Sequence, residues 1–143
     1  MGTKNILAVK FLAATFSVTV AMLGAGYSFA QQVPASRAAL VTTITSSDLH
    51  AMLIAKDFFL INVHVPYEGE IEKTDAFVAF DQIAANLDKL PKDRNSRIVL
   101  YCRSGRMSAL AAQELVARGY TQIFDLAGGM NDWARSGFTI VRN

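Results

Sequence analysis

The chain has one cysteine, Cys102, in the run IVLYCRSGRMSALAAQEL (98–115), and its company is what a reactive thiol requires. Arg103 and Arg106 bring full positive charges, and Gly105 offers a position free to take positive φ or to approach a ligand closely. In a short loop entering a helix, successive backbone N–H groups can turn toward one point, and the helix N-terminus adds partial positive charge there. Each feature favours a thiolate over a thiol. A free thiol of pKa about 8.5 is only a few per cent ionised at neutral pH, whereas one lowered to about 7 is half ionised. The chemistry predicted is attack by sulfur, with a second anionic atom held in the same cradle. The competing reading is a buried strand-end cysteine beside surface arginines, because cysteine is among the most buried residue types.

The remaining candidates exclude more than they add. One cysteine forms no intramolecular disulfide. With only His50 and His64 beside it, the four Cys/His ligands of a structural zinc site are lacking, so no metal is expected. His64 lies in a loop and reads either as chemically idle or as a titratable group at the mouth of the site. His50 is expected to face solvent from a helix, and Trp133 to pack in the core or a site wall rather than to act chemically.

The elements that must position Cys102 alternate along the chain. ALVTTI (39–44), FFLINV (58–63), RIVLYC (97–102) and TQIFDLA (121–127) have the length and apolar character of strands. TSSDLHAMLIAKD reads as a helix capped by Ser46, with Asp48 in its first turn and Leu49, Met52 and Leu53 on one face. FDQIAANLDKL (80–90) reads as a helix ending before Pro91. SALAAQELVARGY reads as another, with Leu110, Ala111 and Leu115 inward, Glu114 facing Arg118 and Gly119 as its stop. GGMNDWARSG gives a short last helix, and VPYEGEIEKTDA a charged loop. Strands alternating with helices, without hairpin signals, predict an α/β fold with a mainly parallel central sheet. Cys102 then falls at the carboxyl end of a strand, where open parallel sheets place their ligand sites.

The first 30 residues stand apart. Lys4 and Lys10 precede an uncharged run from Phe11 to Gln32, and Ser28 and Ala30 have the small-x-small spacing read by a signal peptidase. Residues 1–30 are expected to be a secretory signal peptide and 31–38 a polar lead-in, with the domain over 39–143. An uncleaved membrane anchor is the other reading, since the run nearly spans a bilayer. The segment carries two of the 14 basic residues and none of the 12 acidic ones, so the rest of the chain is balanced at 12 of each. A nucleic-acid surface, which needs clustered uncompensated basic residues, is not expected. The expected location is outside the cytoplasm, in the periplasm, with no membrane attachment after cleavage.

Three ordered motifs resemble one family. YCRSGRMSALAAQELVARGY is similar to the active-site segment of rhodanese-domain sulfurtransferases, whose six-residue loop begins with the nucleophile in a Cys-Arg-x-Gly pattern. FFLINVHVPYEGEI resembles that family's Leu-Ile-Asp-x-Arg-x-Pro-x-Glu segment, and LAGGMNDWARSGFTIV (126–141) its closing Leu-x-Gly-Gly and tryptophan segment. The resemblance runs from about residue 40 to the end. It implies a single rhodanese-like domain with helices on both faces of the sheet. It also implies Cys102 as nucleophile, the loop Arg103, Ser104, Gly105, Arg106 and Met107 as substrate cradle, and no cofactor. The implied partners are a small anionic sulfur donor such as thiosulfate or a persulfide, and a thiol, cyanide or protein acceptor. Asn62 and His64 replace the family's usual Asp and Arg, GEIEKT replaces its Gly-His-Ile-Pro, and Met107 ends the loop where Arg or Thr is common. Two other readings are a cysteine phosphatase, whose pattern has Arg where Ser108 stands, and a non-catalytic binding module that keeps the fold.

Overall fold

The computed structural model describes residues 41–142. The expected signal peptide (1–30), the lead-in (31–38) and residues 39–40 of the expected first strand lie outside the described residues. The strands are β1 (Thr42–Ile44), β2 (Phe59–Asn62), β3 (Glu70–Ile71), β4 (Ala76–Phe77), β5 (Arg97–Tyr101), β6 (Gln122–Leu126) and β7 (Ile140–Val141). The helices are α1 (Ser46–Ile54), α2 (Arg106–Ala117) and α3 (Gly129–Arg135). Five strands form one parallel sheet in the order β1–β6–β5–β2–β4, while β3 and β7 pair antiparallel as a separate ribbon. The expected mainly parallel α/β architecture is what the chain adopts.

The two faces of the sheet explain the apolar strands. Ile98, Leu100 and Cys102 point toward α2, packing with Ala111, Ala112, Leu115 and Ile123. Val99 and Tyr101 point the other way, toward α1 and α3, packing with Leu49, Leu53, Met130 and Trp133. A strand covered on both faces has no polar side, so β5 reads as a continuous apolar run. Trp133 is core on the α1/α3 face, and its indole N–H donates to the carbonyl of Thr139 at 2.9 Å.

Three local expectations are corrected. Thr45, not Ser46, caps α1: its hydroxyl accepts from the Asp48 amide at 3.1 Å, and the Asp48 carboxylate accepts from the Thr45 amide at 2.9 Å. Ser46 is the first helical residue, and its hydroxyl donates to Asp132 at 2.8 Å, tying α1 to α3. Leu110, expected inward, is 48% exposed; the buried stripe of α2 is Leu115 with Ser108, Ala111 and Ala112, three small residues that let the helix lie close to the sheet. The helix expected over 80–90 is reduced to a 3₁₀ segment, Ala84–Lys89, interrupted at Asn86. There the side-chain amide donates to the Gln82 carbonyl, a local bond that competes with helical pairing. His50 is exposed as expected, but stacks on Phe138 with ring centroids 4.3 Å apart.

Candidate active site

Cys102 follows the last residue of β5, and α2 begins at Arg106, so Arg106 and Met107 form the first turn of the helix rather than free loop. The reversal is made at Gly105, which caps α2 with φ 96°, a left-handed conformation costly to a side-chain-bearing residue. That conformation turns the Gly105 N–H onto Cys102 Sγ at 3.0 Å. The Ser108 hydroxyl lies 3.6 Å from the same sulfur and donates to the Gly105 carbonyl at 3.1 Å. Cys102 is 1% exposed, so Sγ is shielded from bulk water. An amide N–H aimed at a sulfur at a helix entrance is a donor that negative charge arriving there can use.

The charged rim is built from two elements. Arg103 donates to Glu68 at 3.1 Å, and the other oxygen of Glu68 lies 3.4 Å from Nε2 of His64. His64 is buried, whereas the Arg103 side chain is 56% exposed. Neither ring nitrogen of His64 has a hydrogen-bond partner among the described residues. Asn62 is also buried: its side-chain oxygen accepts from the His64 amide and its side-chain N–H donates to the Gly69 carbonyl, so it pins the start of this loop. Arg106 and Ser104 are exposed, and Arg106 makes no ion pair among the described residues. Met107 is half-buried and packs into the α2-side core. The structure thus brings Gly105 and Ser108 onto Cys102, groups His64 with Arg103 through Glu68, and leaves Arg106 and Ser104 at the surface.

A further support comes from α3. Its amides at Met130 and Asn131 donate to the carbonyls of Cys102 and Arg103, each at 2.9 Å. The approach is so close that a Cβ on Gly129 would stand 2.1 Å from the Cys102 carbonyl oxygen. Gly129 therefore fixes the nucleophile's backbone, a role that its position 27 residues downstream does not reveal. Asp125 on β6 is likewise invisible as a site residue in the sequence; it comes near the loop only because β6 pairs with β5.

With the geometry in place, comparison with known proteins is direct. The model of the rhodanese-like domain matches residues 48–136. A sulfurtransferase of Allochromatium vinosum is 36% identical over 107 residues, which cover 71% of this chain and 96% of that protein. A probable adenylyltransferase/sulfurtransferase, MoeZ, of Mycobacterium tuberculosis is 34% identical over 106 residues, covering 71% of this chain and 26% of that one. Among solved structures, a rhodanese-like domain protein of Staphylococcus aureus superposes with a TM-score of 0.60 at 25% identity, covering 71% of this chain and all of that one (100%). The matched span contains the Cys102 loop, the His64–Glu68 segment and the Gly128–Gly129 pair together, and this chain belongs to the rhodanese-like domain family.

Proposed function

We propose that this protein is a sulfurtransferase that moves a sulfane sulfur from thiosulfate or a persulfide donor to a thiol or cyanide acceptor, through a persulfide on Cys102. The observation that carries the reading is the Gly105 N–H directed at Cys102 Sγ at 3.0 Å, at the turn between the end of β5 and the start of α2. Relatives named as sulfurtransferases, and the rhodanese-like domain match over residues 48–136, which contains the loop, support it. The Cys102 thiolate attacks the outer sulfur of the donor. The donor's S–S bond breaks, sulfite leaves with the electron pair, and a persulfide remains on Cys102. An acceptor thiolate or cyanide then attacks the terminal sulfur, and Cys102 departs as the thiolate, which closes a ping-pong cycle. The loop amides and the guanidinium groups of Arg103 and Arg106 serve the anionic atoms, and His64 and Glu68 set how Arg103 is held.

The test is intact-mass analysis of the purified protein before and after thiosulfate. A gain of one sulfur confined to Cys102, and removed by cyanide, is the expected result. A protein that stays unmodified while still binding a partner would be a docking module instead. Export belongs to the same proposal: the Lys4/Lys10 start, the uncharged run and the Ser28–Ala30 spacing support cleavage after Ala30 and delivery to the periplasm. N-terminal sequencing of the extracytoplasmic protein should begin at Gln31, and recovery of the full-length chain in the cytosol would refute this part.

A further inference from the structure

Beneath the Cys102 loop lies a carboxylate that the reaction above does not use. Asp125 stands on β6 in register with Leu100 of β5 and Thr43 of β1. Side chains alternate along a strand, so Asp125 shares a sheet face with Leu100 and, two residues on, with Cys102. That face is covered by α2, whose Ser108 is fully buried, with its hydroxyl 3.6 Å from Cys102 Sγ. Oδ1 of Asp125 is buried and has no hydrogen-bond partner among the described residues. Burial holds this carboxyl above the usual carboxylate range, and the Ser108 hydroxyl draws it part of the way back down. Around it, β1 presents Thr43, β5 presents Leu100, the loop presents Cys102 and α2 presents Ser108; Cys102 is the one titratable group among these. No lysine, arginine or histidine among the described residues forms an ion pair with Asp125. An orphaned buried oxygen next to a nucleophile's hydrogen-bond partner calls for an explanation.

We propose that Asp125 and Cys102 share one proton through the hydroxyl of Ser108, so that Asp125 is the positioning residue that turns Cys102 into a thiolate. The step balances simply. The Cys102 S–H bond breaks and its proton bonds to Ser108 Oγ, while the Ser108 hydroxyl proton passes to the Asp125 carboxylate. Thiol and carboxylate become thiolate and carboxylic acid, with one negative charge before and after. Two anions on one covered face of the sheet repel, which is why the pair carries a single charge. The neutral Asp125 then donates to Ser108 Oγ, leaving the hydroxyl free to donate to Sγ. Oγ lies near Sγ and the Gly105 carbonyl and also acts on the Asp125 carboxyl, so turning the hydroxyl hydrogen redirects the donor among them.

This inference rests on Cys102 being the nucleophile, but it concerns ionisation and is tested without any sulfur donor. Cys102 is the only thiol in this chain, so the rate of thiol loss to iodoacetamide against pH reads that sulfur alone. For wild type the rate should rise in two steps, because coupled groups lose their protons in two macroscopic stages. The plateau between them is the shared-proton state. Asp125→Asn should give a single step without the plateau, and Ser108→Ala should lower the plateau rate by about tenfold, since the thiolate loses a charge-assisted hydrogen bond. A single-step wild-type profile, or a two-step profile unchanged in Asp125→Asn, overturns the proposal. Should Asp125→Asn not fold, infrared difference spectra of wild type at neutral pH decide. A protonated-carboxyl band that disappears when Cys102 is alkylated supports the shared proton, and its absence from the free protein refutes it. A protein with the two-step profile that transfers no sulfur would keep this inference and lose the proposed function.

Discussion

Replacing Gly129 by alanine is the sharpest perturbation the structure offers, because it adds one methyl group at the back of the nucleophile and touches no reacting atom. The new Cβ would sit 2.1 Å from the Cys102 carbonyl oxygen and 2.9 Å from the carbonyl carbon of Arg103. An ordinary contact needs roughly 1 Å more, and no side-chain rotation can supply it because both neighbours are backbone. The start of α3 must therefore move away from the loop. Alanine also inherits φ 55° at this position, at a cost of about 1–2 kcal/mol. Separation weakens the hydrogen bonds from Met130 and Asn131 to the Cys102 and Arg103 carbonyls, each contributing about 0.5–1.5 kcal/mol. The sum is a destabilisation of about 2–5 kcal/mol, toward the large end for a single substitution. Activity should fall further than stability explains, because a shift of about 1 Å in a catalytic group can cost about a hundredfold. Urea unfolding gives the first quantity, and thiosulfate:cyanide turnover under conditions where the variant is fully folded gives the second. A Gly129→Ala protein with wild-type midpoint and wild-type kcat would refute the claim that α3 holds the loop.

Other outcomes follow from the charged groups. Arg103→Ala should lower kcat/KM for thiosulfate by about three- to tenfold, the upper figure being about 1.4 kcal/mol, discounted because the side chain is half exposed. Arg106→Ala should cost less, and steady-state kinetics at low salt in which neither variant differs from wild type would place anion recognition elsewhere. Glu68→Gln should act in the opposite sense and lower KM for thiosulfate by about two- to fivefold, because Glu68 now competes with the donor for Arg103; an unchanged KM would refute that competition. At α1, the Ser46 hydroxyl, and after it Arg135, holds the Asp132 carboxyl below its ordinary value of 3.8. A carboxylate lowered on folding contributes stability above its unfolded pKa and loses it as pH falls through the folded value. The stability gap between wild type and Ser46→Ala should therefore be full at neutral pH and close as the pH drops below 3.8, read as urea midpoints across that range.

Features whose cause is local can be read from the chain alone. Apolar runs of strand length marked the four strands β1, β2, β5 and β6, because a strand buried on both faces has no polar side to interrupt it. The Glu114–Arg118 pair and the reversal at Gly105 were equally legible, since spacing and glycine act within one turn of chain. Cys102 at the end of β5 followed from the same reading, and so did the family resemblance. What depends on neighbours distant in sequence emerges only in the folded chain. The two-residue strands β3 and β7 carry almost no pattern of their own and exist because they meet each other, and β4 because it lies along β2. Which face of α2 is buried was settled by how closely it approaches the sheet, which admits Ser108 and Ala112 and leaves Leu110 outside. The surroundings of Cys102 belong to this second class as well. Glu68 arrives from the loop after β2, Asp125 from β6 and Gly129 from α3, and a parallel sheet brings their ends together only after long crossovers have closed. A nucleophile can be read from its own segment, whereas the groups that hold and charge it come from strands paired side by side.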